Sequence, residues 1–589
     1  MGRRAGSAYD RVMPTNRDVL AVLAELAKLS LLEEENPQSF KVRAYEKAYH
    51  GIEAETRDVS GLSVAELVAI EGVGKSIAHT IREYVDSGTI ARLESLRETY
   101  PPAFVELSKI PGLGPKTLKL IRRELGVESL DDLQRAITDQ ALRTLPGLGA
   151  TSEEKIGRAI QRLGLHGKDR RTPIGDAMPL AEQMVSELLD LDGVVDARYC
   201  GSLRRLAETI GDIDITVSSD QPEKVMEFVV RHPRSAEVIA RGDTKTAILT
   251  RAGLQVDVRV VAPEQFGAAI LYFTGSKTHN IDLRRRAMDQ GRLLNEYGLF
   301  DQGTDEVIAA ATEADIYDAL GLDFVPPALR EGAGELEAAA SHTLPRLVTV
   351  DDIRGDLHYH TTRSGDGRSP LEDMVAAAVA RGYEYVAITD HGEDLSINGS
   401  SREQMLAHRD AIRRLDAATP EITLFFGCEL NIGPEGGLDY DAGFRREFDF
   451  TVASVHSHFD LPPARQTERI LTALADPSVD VIGHLTGRYI GRRPGIELDV
   501  DSVLEGLAAT GVALEINGAL ERLDAAADVV RRATARGVRM SIDTDSHHVS
   551  DLGRMRYGVL NAQRGWAPVD LIVNALSLDE FRRWLGRRR

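Results

Sequence analysis

Three features of the sequence predict a multidomain chain of mixed class: a helical N-terminal region, an α+β middle and an α/β C-terminal part. A short Gly-x-Gly segment recurs three times before residue 150, each time between amphipathic helical stretches. From about Asp176 the texture changes to short β-rich runs. From about Leu347 apolar runs alternate with amphipathic helical stretches, the pattern of parallel strands in a βα barrel or an open sheet.

The repeats are Ile70-Glu-Gly-Val-Gly-Lys75, Ile110-Pro-Gly-Leu-Gly-Pro115 and Leu145-Pro-Gly-Leu-Gly-Ala150. Helices are expected after them at 76–85, 116–125 and 153–163. A Gly pair permits a tight turn, and the helix that follows offers unpaired N–H groups and a positive dipole end to a phosphate. One copy would read equally as a plain αα-turn closed by Gly. Three copies favour helix-hairpin-helix units that grip a DNA backbone without reading bases. Gly72, Gly74, Lys75, Gly112, Gly114, Lys116, Gly147 and Gly149 are the expected contacts.

Strands are expected at 194–200, 212–217, 246–250 and 254–261, in an antiparallel sheet. Asp212 and Asp214 are two apart, so on a strand both face one side. Asp257 lies in another run and can join them. Three clustered carboxylates repel one another unless a divalent cation sits between them, and hard oxygen ligands favour Mg²⁺ or Mn²⁺. Gly201-Ser202 with Arg204 and Arg205 would supply donors to a polyphosphate. The stretch 324–344, with Pro326-Pro327 and Gly332-Ala-Gly334, is expected to be a linker.

Further strands are expected at 385–389, 423–426, 450–455, 479–482, 512–516 and 539–542. Metal-ligand residues stand at the ends of successive runs: His358, His360 and Asp366, then His391, Glu429, His456, His484, Asp545 and His547. In a βα barrel these ends open on one face. Nine ligands exceed the about four of one Zn²⁺, so two or three ions are expected. Cys428, beside Glu429, is read as a small buried residue. His458 and His548 are read as supports for neighbouring ligands, and Arg488, Arg492 and Arg493 as holders of a DNA phosphate.

Composition bounds the function. The 589 residues carry a net charge of −21, unevenly spread. Residues 1–174 hold 26 Lys and Arg against 25 Asp and Glu, and the rest 45 against 67. The N-terminal region therefore stays compatible with nucleic acid, while the downstream acids suit metals. Nine of 15 histidines lie at or beyond His358. Two cysteines, no apolar run near ~18 residues and no apolar leader predict a cytoplasmic chain without disulfides or membrane spans.

The first half resembles the family X DNA polymerases of the nucleotidyltransferase superfamily. The family's G-S-F-R-R…G-D-x-D motif matches Gly201, Ser202, Leu203, Arg204, Arg205, Gly211, Asp212 and Asp214. Its Y-F-T-G motif stands at Tyr272-Phe273-Thr274-Gly275, and N-E-Y at Asn295-Glu296-Tyr297. The resemblance implies two Mg²⁺ or Mn²⁺ ions on Asp212, Asp214 and Asp257. It also implies triphosphate contacts from Ser202, Arg205 and Gly211, a sugar and base frame from Tyr272, Phe273, Gly275 and Asn280, and a template contact from Arg284. Lys41 matches a residue that binds a 5′-phosphate. Two departures stand out. Gln255 replaces an arginine two before the third aspartate, and Thr80 replaces the Schiff-base lysine, leaving Lys75 as the remaining candidate for that chemistry.

The second half resembles the PHP (polymerase and histidinol phosphatase) family. This implies metal-dependent phosphoester hydrolysis on Mn²⁺ or Zn²⁺ at three sites: His358, His360, Glu429 and Asp545; Glu429, His456 and His484; and Asp366, His391 and His547. Asp366 stands where some members have histidine, which hardens that site toward Mn²⁺. Together the resemblances imply helical DNA-binding regions at 1–98 and 99–174, a palm at 175–265, a thumb at 266–325, a linker at 326–346 and a PHP barrel at 347–589. This order is that of bacterial family X DNA polymerases. The expected activity is short-gap filling with 3′–5′ exonuclease, and with abasic-site endonuclease and 3′-phosphatase as further activities. The expected partners are gapped or nicked duplex DNA and deoxynucleoside triphosphates, met by a monomer near the nucleoid. The rival readings are a synthesis-silent end-processing nuclease, a non-catalytic DNA-end scaffold and a small-molecule phosphatase.

Overall fold

The computed structural model describes residues 16–586 except 37–38, 54, 56, 58, 71, 109, 111–112, 163–170 and 396–397. Gly112 therefore lies outside the described residues. The chain forms two units, 1–170 and 171–589.

The first unit is helical. The helix Lys75–Ser87 buries Ile77, Ala78, Ile81 and Val85, a three-to-four-residue spacing that makes one apolar stripe. Gly74 precedes it in extended conformation, and Gly88, at φ 77°, ends it. The helix Pro115–Leu125 repeats the design, with Gly114 before it and Leu118 and Ile121 buried. The third helix, Ala150–Arg162, starts directly after Gly149. Two cores fill this unit. One joins Val19 and Leu23 to residues up to Val85. The other joins Val22, Leu26, Leu29 and Leu32 to residues 90–160. The helix Asn16–Glu34 thus serves both cores, and the packing does not divide at 98/99 as expected.

The second unit opens with β1 (Thr172–Pro173), β2 (Val194–Tyr199), β3 (Thr209–Ile210), β4 (Asp212–Ser219), β5 (Ser235–Arg241), β6 (Lys245–Thr250) and β7 (Gln255–Val261). The main sheet has the order β2-β4-β7-β6-β5. It is mixed rather than antiparallel, because β4 and β7 run parallel. The helix Pro222–Arg231 and the β5–β6 hairpin supply the crossover a parallel pair needs.

The next layer holds the helices Phe266–Thr274 and Lys277–Asp289, strands β8 (Arg292–Asn295), β9 (Gly298–Asp301) and β10 (Val307–Ala309), and the helix Glu313–Ala319. The expected linker at 326–346 is instead packed. Leu329 and Ala339 belong to this layer's core. Arg330 is fully buried and pairs with Glu313 at 2.6 Å, and His279 pairs with Glu335 at 2.8 Å. These buried pairs outweigh the turn-forming Pro and Gly composition that suggested a spacer.

The barrel follows with β11 (Gly355–Tyr359), β12 (Tyr385–Ile388), β13 (Thr423–Asn431), β14 (Phe450–Ser454), β15 (Val481–Ile482), β16 (Ala513–Asn517) and β17 (Met540–Asp543). The seven strands are parallel in sequence order. The edges come together where Leu357 N donates to Asp543 Oδ1 (2.9 Å) and Tyr359 bridges Ser546. The helix Leu578–Gly586 seats Phe581 on Tyr385, Phe425 and Phe450. Leu520, Leu523 and Tyr557 from the barrel join the core of the β2–β7 sheet. Among the described residues no helix is long and apolar enough to cross a membrane.

Two candidate metal centres

Strand register builds the first centre. Asp214 on β4 lies opposite Asp257 on β7, and Asp212 opposite Gln255. Alternation then sets all three carboxyls on one face. Burial, then Asp212 and Asp257, push Asp214 up to about 7. Partial burial and Asp257 raise Asp212. Carboxyls driven toward protonation by crowding are a donor set that suits a hard divalent cation. Gly201 closes the site from the other side. At φ 61°, a Cβ there would stand 2.7 Å from Asp214 Oδ2.

Gln255 and Lys245 divide Asp257 between them. Gln255 Nε2 donates to Oδ1 at 2.6 Å, and Lys245 Nζ lies 2.9 Å from Oδ2. A positive charge thus reaches Asp257 from β6. Ser202 and Arg204 lie in the short helix Gly201–Arg204. Arg204 pairs with Glu313 at 2.7 Å and donates to Thr274 Oγ1. Arg205 donates to the Thr274 carbonyl at 2.5 Å and to Glu331 at 3.1 Å. Gly275 ends the helix Phe266–Thr274 at φ 70°. Tyr272, Asn280 and Arg284 line one small pocket, where Asn280 Nδ2 donates to the Tyr272 carbonyl at 2.7 Å. Phe273 packs edge-on to Tyr272, with Arg259 over its ring at 4.3 Å. Gly211 leads directly into β4, with open space around it.

The second centre sits at the C-terminal ends of the barrel strands. Glu429 is its hub. Its Oε2 lies 3.4 Å from His358 Nε2, 3.5 Å from His360 Nε2 and 3.0 Å from His391 Nδ1. Its Oε1 lies 3.1 Å from His456 Nε2 and 3.0 Å from His484 Nε2. Asp545 Oδ1 is 3.4 Å from His360 Nε2. Asp366 Oδ2 is 3.3 Å from both His391 Nε2 and His547 Nε2. All nine expected ligands therefore converge. Donor atoms lie within 4.8 Å of one another in three groups: His360, Asp366, His391 and His547; His358, His360 and Asp545; and His391, Glu429 and His456. The groups overlap, with His360 and His391 each common to two of them.

The donors fit metal ions. Asp366 Oδ1 is buried without a hydrogen-bond partner, and the buried Glu429 Oε1 and Asp545 Oδ1 face only imidazole nitrogens with no hydrogen bond formed, a costly state for a carboxylate unless a cation neutralises it. Burial alone would lower His391, but Glu429 and Asp366 outweigh it and raise it to about 10. In His456 burial prevails over Glu429, and the ring falls to about 4.

The sequence reading missed two residues here. Glu515 Oε1 accepts from His358 Nδ1 at 2.5 Å, and Glu515 also accepts from the His484 amide. It fixes one imidazole and one ligand-bearing backbone. Its signal was a lone acid inside the apolar run 512–516. Arg522 Nε lies 3.6 Å from Asp545 Oδ2, its Nη2 donates to the Tyr489 hydroxyl at 2.9 Å, and its buried Nη1 has no partner.

Two of the three arginines are spent elsewhere than expected. Arg488 is spent on the carbonyls of Arg522 and Leu523 and on Glu208, and Arg493 on the Gly487 carbonyl with its face over Phe459. Their strong donors find nearby carbonyls first. Arg492 stays exposed. His548 pairs with Ser550, and the His458 carbonyl takes Gln466 and Arg469. Cys428 is fully buried in the barrel core, as expected.

In the first unit, Lys41, Arg43, Lys47 and Lys75 with Phe40, Tyr45, Gly72 and Gly74 line a groove at the start of the helix Lys75–Ser87. Lys41 pairs with Glu34 at 2.7 Å. Thr80 donates to the Ser76 carbonyl of its own helix.

Comparison with known proteins agrees with this anatomy. Residues 14–90 match the helix-hairpin-helix domain and 104–162 the SAM-like helix-hairpin-helix tandem. Residues 269–331 match the DNA polymerase beta thumb, and 356–519 the PHP domain. The DNA polymerase/3′-5′ exonuclease PolX of Bacillus subtilis is 36% identical over 97% of this chain and 99% of its own length. Probable phosphatases of Acetivibrio thermocellus and Caldicellulosiruptor saccharolyticus are each 28% identical, over 40% and 39% of this chain and 95% of their own lengths. The chain belongs to the bacterial family X DNA polymerases that carry a PHP domain.

Proposed function

We propose that this enzyme fills short gaps in duplex DNA at the β4–β7 centre and trims 3′ ends at the barrel centre. The observation that carries the reading is the presence of two separate carboxylate-rich donor sets in one unit, one set by strand register and one by Glu429. In this reading Asp212, Asp214 and Asp257 hold Mg²⁺ or Mn²⁺, and the barrel ligands hold two or three Mn²⁺ or Zn²⁺ ions. The ions supply charge neutralisation at phosphorus. The chain's own residues do the positioning. Ser202, Arg205 and Gly211 hold the triphosphate. Tyr272, Phe273, Gly275 and Asn280 frame sugar and base, and Arg284 faces the template. In the barrel, the unpartnered Nη1 of Arg522 is offered to a phosphate oxygen. Abasic-site cleavage and 3′-phosphate removal fit the same centre.

The substrates are gapped or nicked DNA and deoxynucleoside triphosphates, bound by a cytoplasmic monomer. The groove at Lys41 and Lys75 suits a 5′-phosphate, and Thr80 leaves that groove without the family's imine-forming lysine. Lys245 beside Asp257 favours a working synthesis site over the synthesis-silent reading. The test separates the activities on a gapped duplex. His358→Ala with His360→Ala should abolish trimming and spare extension. Asp212→Ala with Asp214→Ala should do the reverse. Equal loss of both activities in either variant would overturn the two-centre reading.

A further inference from the structure

The arginine assigned to the triphosphate does not stand alone. Its Nε meets Glu331 Oε1 at 3.1 Å, and the same oxygen takes Arg564 Nη1 at 2.6 Å. Arg564 is the last residue of the barrel helix Met555–Arg564. Its Nη1 also donates to the main-chain carbonyl of Arg205 at 2.5 Å. One barrel side chain thus holds the backbone of Arg205 and shares its acidic partner. The same helix is anchored to the β2–β7 domain by Arg556 and Tyr557, which meet Glu182 at 2.8 Å each. The three side chains are largely buried, at 14%, 30% and 22% exposure for Arg205, Glu331 and Arg564.

Two cations on one carboxylate oxygen cannot both be fully neutralised by it. Arg564 draws part of the Glu331 charge and leaves Arg205 with positive potential to spend on an incoming anion. Without Arg564, Glu331 would pair with Arg205 alone and compete with the triphosphate.

We infer that Arg564 of the PHP domain is a positioning residue of the polymerase centre, acting through Glu331 to keep Arg205 available to the incoming nucleotide. This rests on the reading of Arg205 as a triphosphate ligand. The test uses the full chain with Mg²⁺ and a gapped duplex whose primer ends in a dideoxynucleotide, and measures the Kd for deoxyguanosine triphosphate opposite a templating cytosine. Arg564→Met, which keeps the apolar stem, should raise Kd about fivefold, the scale of one partly buried ion pair. Adding Glu331→Gln should bring Kd back to within about twofold of the parent, because the competing charge is gone. Trimming rates of both variants should match the parent, which shows the barrel intact. A merely structural contact would not be rescued by losing a second partner. Parental affinity in Arg564→Met, or a double variant as weak as the single, overturns the inference. Arg205→Ala is the control for the underlying reading: if it leaves Kd unchanged, the assignment of Arg205 itself falls.

Discussion

Two single side chains carry consequences that can be measured. Glu515 fixes the His358 ring through Nδ1. Glu515→Gln should cut bound metal and trimming by about tenfold or more while extension persists; metal analysis of the purified variant checks it. Glu313 lies between Arg204 and Arg330, and these cations outweigh its burial and bring its carboxyl down to about 2 from 4.5. A lowered carboxyl contributes stability that is complete above 4.5 and fades as pH falls toward 2. Glu313→Gln should therefore cost about 3 kcal/mol at neutral pH, because it strands buried Arg330. The deficit should shrink as the medium is acidified below pH 4.5, which unfolding midpoints across pH would show. The nine barrel ligands were legible because metal chemistry admits few residue types and strand ends space them regularly. Glu515 and Arg522 were not, because each acts through a long side chain whose target lies far off in the sequence or on another loop or strand. Arg488 and Arg493 misled for the opposite reason: guanidinium groups that look free in a sequence satisfy local carbonyls in the fold.

At the level of elements, apolar runs located most strands to within a few residues, but not their partners. The parallel β4–β7 pairing depends on a crossover that composition does not reveal. Strand β5, exposed over most of its length, lacks the apolar signature that marked the others. Yet the Asp212–Asp214 spacing was enough to put both acids on one face, since alternation holds in either direction of pairing. The turn after β2 is more demanding. Gly201→Ala would force a Cβ to 2.7 Å from the Asp214 carboxylate at a left-handed backbone angle. Extension should fall on the order of a hundredfold, as for a carboxylate displaced by an ångström, with trimming intact; paired assays on one duplex decide it.

Across the whole chain, the sequence suggested beads on a string, and the second unit is not built that way. The β2–β7 core borrows Leu520, Leu523 and Tyr557 from the barrel, and the 326–346 segment is packed rather than solvated. A chain cut after residue 346 would lose three buried contacts, roughly 5–9 kcal/mol at ~1.5–3 kcal/mol each. It should melt about 10 °C or more below the parent, or fail to stay soluble; a melting curve of the fragment tests this. Composition hid the union, because interdomain contacts use the same Leu and Tyr that fill any core.

The helix Asn16–Glu34 sends Val19 and Leu23 one way and Val22, Leu26, Leu29 and Leu32 the other. A rod gripped on both sides transmits a disturbance. Engagement of a strand at the Lys41–Lys75 groove should therefore slow amide hydrogen exchange beyond residue 100 as well, in a region that groove does not line.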